Sequence, residues 1–330
     1  MKLAFFEVEQ WQIEYIKNKL RNHKILFFES ELNERNAEKI KDVDGIGIFI
    51  YSIVNKEILS KLPKLKFIAT MSTGFDHIDI SECKKRKIKV SNVSSYGENT
   101  VAEHTIGLMI SLSKKIPQSV QRTKEDNFDL SGLKGFDLKG KTLGVIGAGN
   151  IGLRVIKIAK AMEMKIFVNT KNENRKLAKQ NGFRYVSLEN LLKNSDIVTL
   201  HCPLTSETRH MINLHNVKII KKGAYLINTA RGGLIDTKAL VYALDKNILV
   251  GAAFDVLENE DDLKEEGQML RNKAISVNEM KTFLRNHKLL KDRDVIITPH
   301  SAFYTIEAQK RILDTTIKNI LSRGNANRVG

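Results

Sequence analysis

A chain of 330 residues exceeds the usual size of a single hydrophobic core, so two domains are expected. Its 42% hydrophobic content, with only 4 Pro and 20 Gly, excludes a largely disordered protein. The net charge of +16 is scattered through amphipathic segments that also carry 38 acidic residues, so no nucleic-acid partner is expected, although the charge suits anionic substrates.

The opening sequence MKLAFF is too short for the apolar part of a signal peptide, and no later segment approaches 18 uninterrupted apolar residues. We therefore expect no membrane association and a cytoplasmic location. The two cysteines, Cys83 and Cys202, are too few for a disulfide framework and lack metal-ligand spacing. No metal site is expected.

Short apolar runs alternate with segments of helical period through the first hundred residues, a pattern typical of an α/β domain. The predicted strands there are Lys2–Phe6, Lys24–Phe28, Ile46–Ile50, Phe67–Thr70 and Ile88–Val90. A long apolar-periodic stretch over 101–120 then predicts a connecting helix, which Pro117 should kink or end.

A second alternating series follows, with strands predicted at TLGVI (142–146), KIFVN (165–169), DIVTL (196–200), AYLIN (224–228), VGAAFD (250–255) and DVIIT (294–298). These runs are continuously apolar, which indicates strands buried on both faces of a parallel sheet. The second domain is therefore predicted to be doubly wound.

The sequence GAGNIG occupies residues 147–152, directly after a predicted strand and before a helix with one apolar face. Glycines at Gly147, Gly149 and Gly152 permit a tight turn, close approach of a pyrophosphate and close helix packing, while the helix N-terminus attracts negative charge. Between these flanking elements, the motif predicts a dinucleotide-binding site.

In an NAD site, the second strand usually ends in a carboxylate that binds the ribose hydroxyls. Here Thr170 and Lys171 stand at that place, with Arg175 nearby. A small hydroxyl followed by basic residues suits a 2′-phosphate, so the pattern favours NADP or relaxed specificity. A neutral Thr in an NAD enzyme is the alternative.

Six motifs occur along the chain in a fixed order: STGFDHID (72–79), YGENTVAEHT (96–105), DIVTLHCPLTSETRHMIN (196–213), INTARGGLID (227–236), AAFDVLENE (252–260) and ITPHSAFYT (297–305). Together they resemble the D-isomer-specific 2-hydroxyacid dehydrogenases over nearly the whole chain. The resemblance implies a Rossmann-type cofactor domain, a smaller flavodoxin-like α/β substrate domain, and NAD(P)H-dependent reduction of a small 2-keto acid.

That reaction requires a cation to orient the substrate carboxylate and polarise its carbonyl, and an acid to protonate the developing alkoxide. Arg231 suits the first role because its guanidinium forms paired hydrogen bonds and stays charged. His300 suits the second because imidazole changes charge near neutral pH. The resemblance places Glu260 behind His300, where a negative charge would orient the ring and favour imidazolium.

The resemblance also implies the remaining contacts. Those to substrate are the backbone amides of Ser72, Thr73 and Gly74, together with Val54, Tyr96 and Phe303. Those to the cofactor are Asn150, Ile151, Thr170, Lys171, His201, Cys202, Pro203, Thr208, Thr229, Ala230 and Asp255. Asp255 is expected near the nicotinamide, or else as a cap on the following helix.

Phe303 and Tyr304 closely follow His300, as in the D-lactate branch of the family, which favours pyruvate as substrate. In the loop 51–55, however, the substrate-facing Tyr of lactate enzymes aligns with Val54, and an aliphatic pocket would accept branched 2-keto acids. The sequence therefore leaves open a D-2-hydroxyisocaproate-type enzyme, a glyoxylate or hydroxypyruvate reductase, and, from another class, a nucleotide-sensing protein similar to a corepressor.

The implied domains are discontinuous. Residues 1–103 and 300–330 would form the substrate domain and residues 104–299 the NAD(P)-binding domain, with ligands held between them. The charged segment 261–293 is interpreted as a surface excursion of the cofactor domain. Relatives usually pair through the cofactor domain and its connecting helix, so a homodimer is expected.

Overall fold

The computed structural model describes residues 1–259 and 277–329. The chain divides into two compact units, Met1–Tyr96 with Tyr304–Gly330, and Gly97–Phe303. Glu260 and the first part of the charged segment, 261–276, lie outside the described residues. Within the described ranges, no helix is long and apolar enough to cross a lipid bilayer.

Up to residue 91, the elements are β1 (Lys2–Phe5), α1 (Gln10–Lys19), β2 (Lys24–Phe27), α2 (Glu34–Ala37), β3 (Gly45–Ile48), α3 (Lys56–Ser60), β4 (Phe67–Thr70), α4 (Ile80–Lys85) and β5 (Lys89–Ser91). The second unit contains α5 (Glu98–Lys114), α6 (Ile116–Lys124), β6 (Thr142–Ile146), α7 (Asn150–Ala161), β7 (Lys165–Asn169), α8 (Arg175–Asn181), β8 (Arg184–Tyr185), α9 (Leu188–Asn194), β9 (Ile197–Leu200), β10 (Ala224–Asn228), α10 (Thr237–Asp245), β11 (Leu249–Phe254), α11 (Val277–Leu290) and β12 (Val295–Ile297). The chain closes with α12 (Ile306–Leu321) and β13 (Arg328–Val329).

The sheet of the first unit has the strand order β13-β5-β4-β3-β1-β2. All of its pairs are parallel except that of β13 with β5. The order 2-1-3-4-5 of the parallel strands is flavodoxin-like, as predicted. Every residue of β3 and β4 is buried, as expected for a parallel sheet covered on both faces.

The sheet of the second unit has the order β12-β11-β10-β9-β6-β7-β8, with every pair parallel. Counted from β6, this is the 3-2-1-4-5-6 order of a Rossmann fold with one added strand. Successive residues of a strand pack into different hydrophobic clusters. In β10, Leu226 belongs to the cluster on one face of the sheet and Ile227 to the cluster on the other. Both faces are therefore covered, and the predicted doubly wound fold is confirmed.

Every strand predicted from the sequence is present, within two residues at either end. The connecting helix does break, but at Lys115, which has a left-handed φ of 52°. Pro117 lies in the first turn of α6, where its missing N–H costs no hydrogen bond. The two-residue strands β8 and β13 were not predicted, because they are too short to give a hydrophobic pattern.

Candidate active site

The GAGNIG loop connects the end of β6 to the first residue of α7. Gly147 has a φ of 99°, and a Cβ there would lie 2.6 Å from the carbonyl oxygen of His201. A Cβ at Gly152 would lie 2.1 Å from the carbonyl oxygen of Gly147. A side chain at either position would push helix and strand apart. A Cβ at Gly149, in contrast, would meet no described atom within 4 Å, so space is open above the loop.

The strand order of this sheet reverses between β6 and β9, which pair directly. Ligands of doubly wound sheets bind outside the carboxyl ends of the strands at such a reversal. The first turn of α7 presents the amides of Asn150, Ile151 and Gly152 there, and first-turn amides have no acceptor within their own helix. The open space and these amides fit the pyrophosphate of a dinucleotide.

The next strand, β7, ends just before Thr170 and Lys171. The Lys171 ammonium lies 2.7 Å from the carboxylate of Glu207, and both side chains are largely exposed. The hydrogen bond from Lys171 lowers the pKa of Glu207. No carboxylate directly follows β7 in the sequence, yet folding brings Glu207 to this edge from the loop after β9. A ligand phosphate would compete with Glu207 for Lys171.

The loop after β9 holds four of the predicted cofactor contacts. His201 is half-buried, its Nε2 lies 2.9 Å from the hydroxyl of Thr199, and desolvation of its imidazole lowers its pKa to about 3. Burial also raises the pKa of the Cys202 thiol to about 11. The Thr208 hydroxyl donates to the carbonyl oxygen of Pro203 at 2.7 Å and so braces the loop. The His201 and Cys202 side chains are therefore neutral at pH 7.

Arg231 is exposed on the loop after β10. The side chain of Asn228 holds this loop, since its Nδ2 donates to the Arg231 carbonyl at 2.9 Å and its Oδ1 accepts from the Ala230 amide at 3.0 Å. The hydroxyl of Thr229 lies 2.8 Å from that of Thr105. Arg231 Nη1 donates to the Ala230 carbonyl at 2.8 Å. The hydrogen bonds of Asn228 thus fix the loop backbone, and the Arg231 side chain on this loop is exposed to solvent.

Asp255, at the end of β11, is 1% exposed. Its carboxylate accepts from the hydroxyl of Thr298 at 2.5 Å and from the amides of Ser301 and Ala302 at 2.9 Å each. These three donors bracket His300, whose φ of 55° lies in the left-handed region. Asp255 therefore fixes the loop that carries His300, a role that sequence reasoning missed.

His104 of α5 extends this network. Its Nε2 lies 3.1 Å from the hydroxyl of Thr298 and 3.6 Å from a carboxylate oxygen of Asp255. Because the single hydroxyl proton of Thr298 goes to Asp255, His104 must donate from Nε2. The sequence offered only one signal for His104, its position within the YGENTVAEHT motif.

Glu258 lies two residues before Glu260, near the end of the described range 1–259. Its carboxylate lies 2.5 Å from His210 Nε2 and accepts from the hydroxyl of Thr237 at 2.8 Å. Burial is the largest single effect on the pKa of Glu258 and raises it. The hydrogen bonds from Thr237 and His210 together lower the pKa by more than burial raises it, so the net shift is downward. This pair, also missed from sequence, anchors the segment leading to Glu260.

In the first unit, residues 72–74 follow β4. Ser72 is 4% exposed, and its hydroxyl donates to the Gly74 carbonyl at 2.6 Å. The Thr73 carbonyl accepts from Asn92 Nδ2 at 2.8 Å. Among the described residues, the amides of Ser72, Thr73 and Gly74 have no acceptor. Three successive amides without acceptors are suited to an anion such as a carboxylate.

Val54 corrects one expectation. Its side chain has no exposed surface and packs in the core of the first unit. Its amide donates to the His77 carbonyl at 2.8 Å, and its own carbonyl accepts from the Asp79 amide at 2.9 Å. The prediction that Val54 faces the substrate is therefore wrong. On the same loop, Tyr51 and Ile53 are 59% and 61% exposed.

The remaining predicted substrate contacts, Tyr96 and Phe303, are both half-buried and stand where the chain passes from one unit to the other. The carbonyl of Tyr96 accepts from Arg311 Nε at 2.7 Å. The neighbour of Phe303, Tyr304, donates its hydroxyl to Glu9 at 2.6 Å. Both segments therefore have fixed partners within the first unit.

A family model described as the NAD-binding domain of D-isomer-specific 2-hydroxyacid dehydrogenases matches residues 106–302. The D-lactate dehydrogenase of Escherichia coli K12 is 35% identical over 324 residues, which cover 97% of this chain and 96% of that protein. An aromatic 2-oxoacid reductase of Clostridium sporogenes is 36% identical over 97% of this chain and 95% of its own length. The crystal structure of Aquifex aeolicus D-lactate dehydrogenase, complexed with NAD and lactic acid, superimposes with a TM-score of 0.83 at 36% identity, covering 99% of this chain and 98% of the other. This chain belongs to the D-isomer-specific 2-hydroxyacid dehydrogenase family.

Proposed function

We propose that this protein reduces a small 2-keto acid to the D-2-hydroxy acid, with pyruvate as its preferred substrate and D-lactate as product. The observation that supports this most is the anchoring of the His300 loop by Asp255 at the carboxyl edge of the dinucleotide-binding sheet. Since β10, β11 and β12 are neighbours, the Arg231 loop leaves the same edge. A cation and a proton donor thus follow nearby strands.

The proposed reduction adds a hydride to the keto carbon and a proton to its oxygen. A reduced nicotinamide, when bound, supplies the hydride that the keto carbon receives. Arg231 binds the substrate carboxylate and polarises the carbonyl, and His300 gives a proton to the oxygen as negative charge develops there. The amides of Ser72, Thr73 and Gly74 are proposed to hold the carboxylate. Glu260 is proposed, on the family resemblance, to orient His300.

Pyruvate is proposed over larger acids because Phe303 and Tyr304 closely follow His300, as the resemblance to the D-lactate branch implies. On the loop after β3, Val54 is buried, and the exposed side chains are the aromatic Tyr51 and the aliphatic Ile53. Relatives named for D-lactate and for aromatic 2-oxoacids are about equally similar to this chain, so both substrate sizes belong in the test. A D-2-hydroxyisocaproate-type enzyme and a glyoxylate or hydroxypyruvate reductase are the competing assignments.

The deciding experiment compares kcat/KM for pyruvate, 2-ketoisocaproate, phenylpyruvate, hydroxypyruvate and glyoxylate, with chiral analysis of the products. We expect pyruvate to give the highest value and a D product. A higher kcat/KM for any of the remaining four acids would overturn the proposed substrate, and an L product would overturn the proposed reaction.

For the cofactor, we propose that NADPH is accepted together with NADH. Thr170 and Lys171 leave room and positive charge for a 2′-phosphate, as the sequence predicts. The ion pair of Lys171 with Glu207 moderates that preference, because a phosphate must displace the carboxylate. The ratio of kcat/KM for the two cofactors measures the balance.

We also propose a homodimer that pairs through the second unit. Its segment 116–130 exposes large apolar side chains, namely Ile116, Val120, Phe128 and Leu130. Phe128 and Leu130 are 79% and 80% exposed, which is costly for two neighbouring apolar side chains in water. Sedimentation equilibrium should report twice the chain mass, and a monomer at micromolar concentration would contradict the proposal.

A further inference from the structure

Glu7 lies just after β1 and has an unusual backbone conformation. Its φ is 58°, in the left-handed region that residues other than glycine seldom adopt. Such backbone persists where surrounding contacts fix it. Glu7 is half-buried, and within the part of the chain that the structure describes no ion pair reaches its carboxylate. The carboxylate must therefore be held by neutral donors.

Those donors all come from one loop, the one after β3. The two carboxylate oxygens of Glu7 accept from the Phe49 amide at 3.0 Å, from the Tyr51 amide at 2.8 Å and from the hydroxyl of Ser52. A carboxylate only accepts, so it matches three donors where an amide side chain would not. The Glu7 side chain therefore holds residues 49–52 in place, and we call these three contacts the clamp.

Ser52 connects the clamp to a third loop. It has no exposed surface, and its hydroxyl oxygen accepts from the Leu32 amide at 2.9 Å while its proton goes to Glu7. The loops after β1, β2 and β3, three adjacent strands, are thus joined through one carboxylate and one hydroxyl. Burial acts most strongly on the pKa of Glu7 and raises it, against these hydrogen bonds.

The clamped loop is the one that exposes Tyr51 and Ile53, whereas its end at Val54 is fixed by a bridge to Ile78. It also lies beside the loop with the three open amides, because β3 and β4 pair and the Met71 amide donates to the Ile48 carbonyl at 2.7 Å. The two exposed side chains therefore belong to the loop next to the segment proposed to hold the substrate carboxylate.

We propose that Glu7 is a positioning residue for substrate selection: by fixing residues 49–52, it sets where Tyr51 and Ile53 stand and so which 2-keto acid side chains the site accepts. The proposal rests on the proposed function. It assigns Glu7 no contact with substrate.

The test uses Glu7→Gln, which keeps the shape but turns a donor toward the loop amides, and Ser52→Ala, which removes the hydroxyl that joins Glu7 to Leu32. Glu14→Gln, at an exposed position on α1, is the matched control. Hydrogen exchange of peptides spanning 49–55 reports the clamp. Kinetics with pyruvate, 2-ketoisocaproate and phenylpyruvate report selection, and NADH affinity reports the integrity of the second unit.

For Glu7→Gln we expect the hydrogen-exchange rate of the 49–53 amides to rise about tenfold. We expect the KM for pyruvate to rise about tenfold, with kcat within about threefold of wild type. The ratio of kcat/KM for pyruvate over phenylpyruvate should change at least about fivefold. Ser52→Ala should change each value in the same direction by less, and NADH affinity should not move. Glu14→Gln should match the wild type throughout.

Unchanged exchange in Glu7→Gln would overturn the clamp. Faster exchange with an unchanged selectivity ratio would overturn its role in selection and leave the proposed function standing. A wild-type protein that reduces none of the acids would overturn the proposed function and the selection role together, while the exchange result would still decide whether the clamp exists.

Discussion

The carboxylate of Asp255 accepts a hydrogen bond at 2.9 Å from the amide of Ser301, the residue that follows His300. Two more donors, the Thr298 hydroxyl and the Ala302 amide, reach the same carboxylate from either side of the loop. A buried strand end thereby determines the backbone around His300. The position of the proposed proton donor depends on an acid that need not contact substrate.

Replacing Asp255 with Asn should reduce turnover sharply. The amide nitrogen would face backbone donors, and an unsatisfied buried donor costs about 1–3 kcal/mol. A displaced catalytic group can lower the rate by about 100-fold. We expect kcat to fall at least about 10-fold in steady-state assays, with NADH affinity changing far less. Asp245→Asn, which removes a surface ion pair with Lys288, is the control; equal kcat values for both variants would contradict the anchoring role.

Gly149→Ala should weaken dinucleotide binding without destabilising the protein. A Cβ there meets no described atom, so the fold tolerates it, but the methyl group would enter the space assigned to the pyrophosphate. We expect the Kd for NADH, followed by fluorescence, to rise at least about 10-fold, which is about 1.4 kcal/mol. Gly223→Ala is the converse control, because its φ of 84° predicts a lower Tm and unchanged binding. Normal NADH affinity in Gly149→Ala would place the pyrophosphate elsewhere.

Glu207→Gln should shift cofactor preference toward NADPH. The carboxylate competes with a 2′-phosphate for Lys171, and removing it frees the ammonium. We expect the ratio of kcat/KM for NADPH over NADH to rise about 3- to 10-fold, and Lys171→Ala to lower it. If neither variant moves the ratio, Lys171 does not contact the cofactor.

Glu258 should make stability depend on pH in the acid range. Its folded pKa lies below its ordinary value of 4.5, so its stabilising effect is fully present above that pH and is lost as the pH falls through the folded pKa. Urea unfolding of wild type and Glu258→Gln should therefore differ by about 1–3 kcal/mol at pH 7, and the difference should shrink as the pH falls below 4.5 and through the folded pKa. A difference independent of pH would show that the lost contacts do not involve its charge.

The sequence was sufficient for the strands and for the Gly147 loop, because buried parallel strands are continuously apolar and a glycine turn between strand and helix is a local pattern. It was insufficient where side chains meet across long separations. The contacts of Glu7 with Tyr51, of His210 with Glu258 and of Asp255 with Ser301 each join residues more than 40 positions apart. Val54 was misassigned because counting along a loop cannot reveal that its backbone pairs with Ile78 and turns its side chain inward.

The most direct test of the proposed reaction is pyruvate reduction by wild type and His300→Ala, measured together with NADH affinity. We expect wild type to form D-lactate, and the variant to lose at least about 100-fold in kcat with its NADH Kd within about twofold, since only the proton donor is removed. Substantial turnover in His300→Ala would contradict its role. Tight NADH binding by a wild type that reduces no 2-keto acid would contradict the enzyme itself and favour a nucleotide-sensing protein.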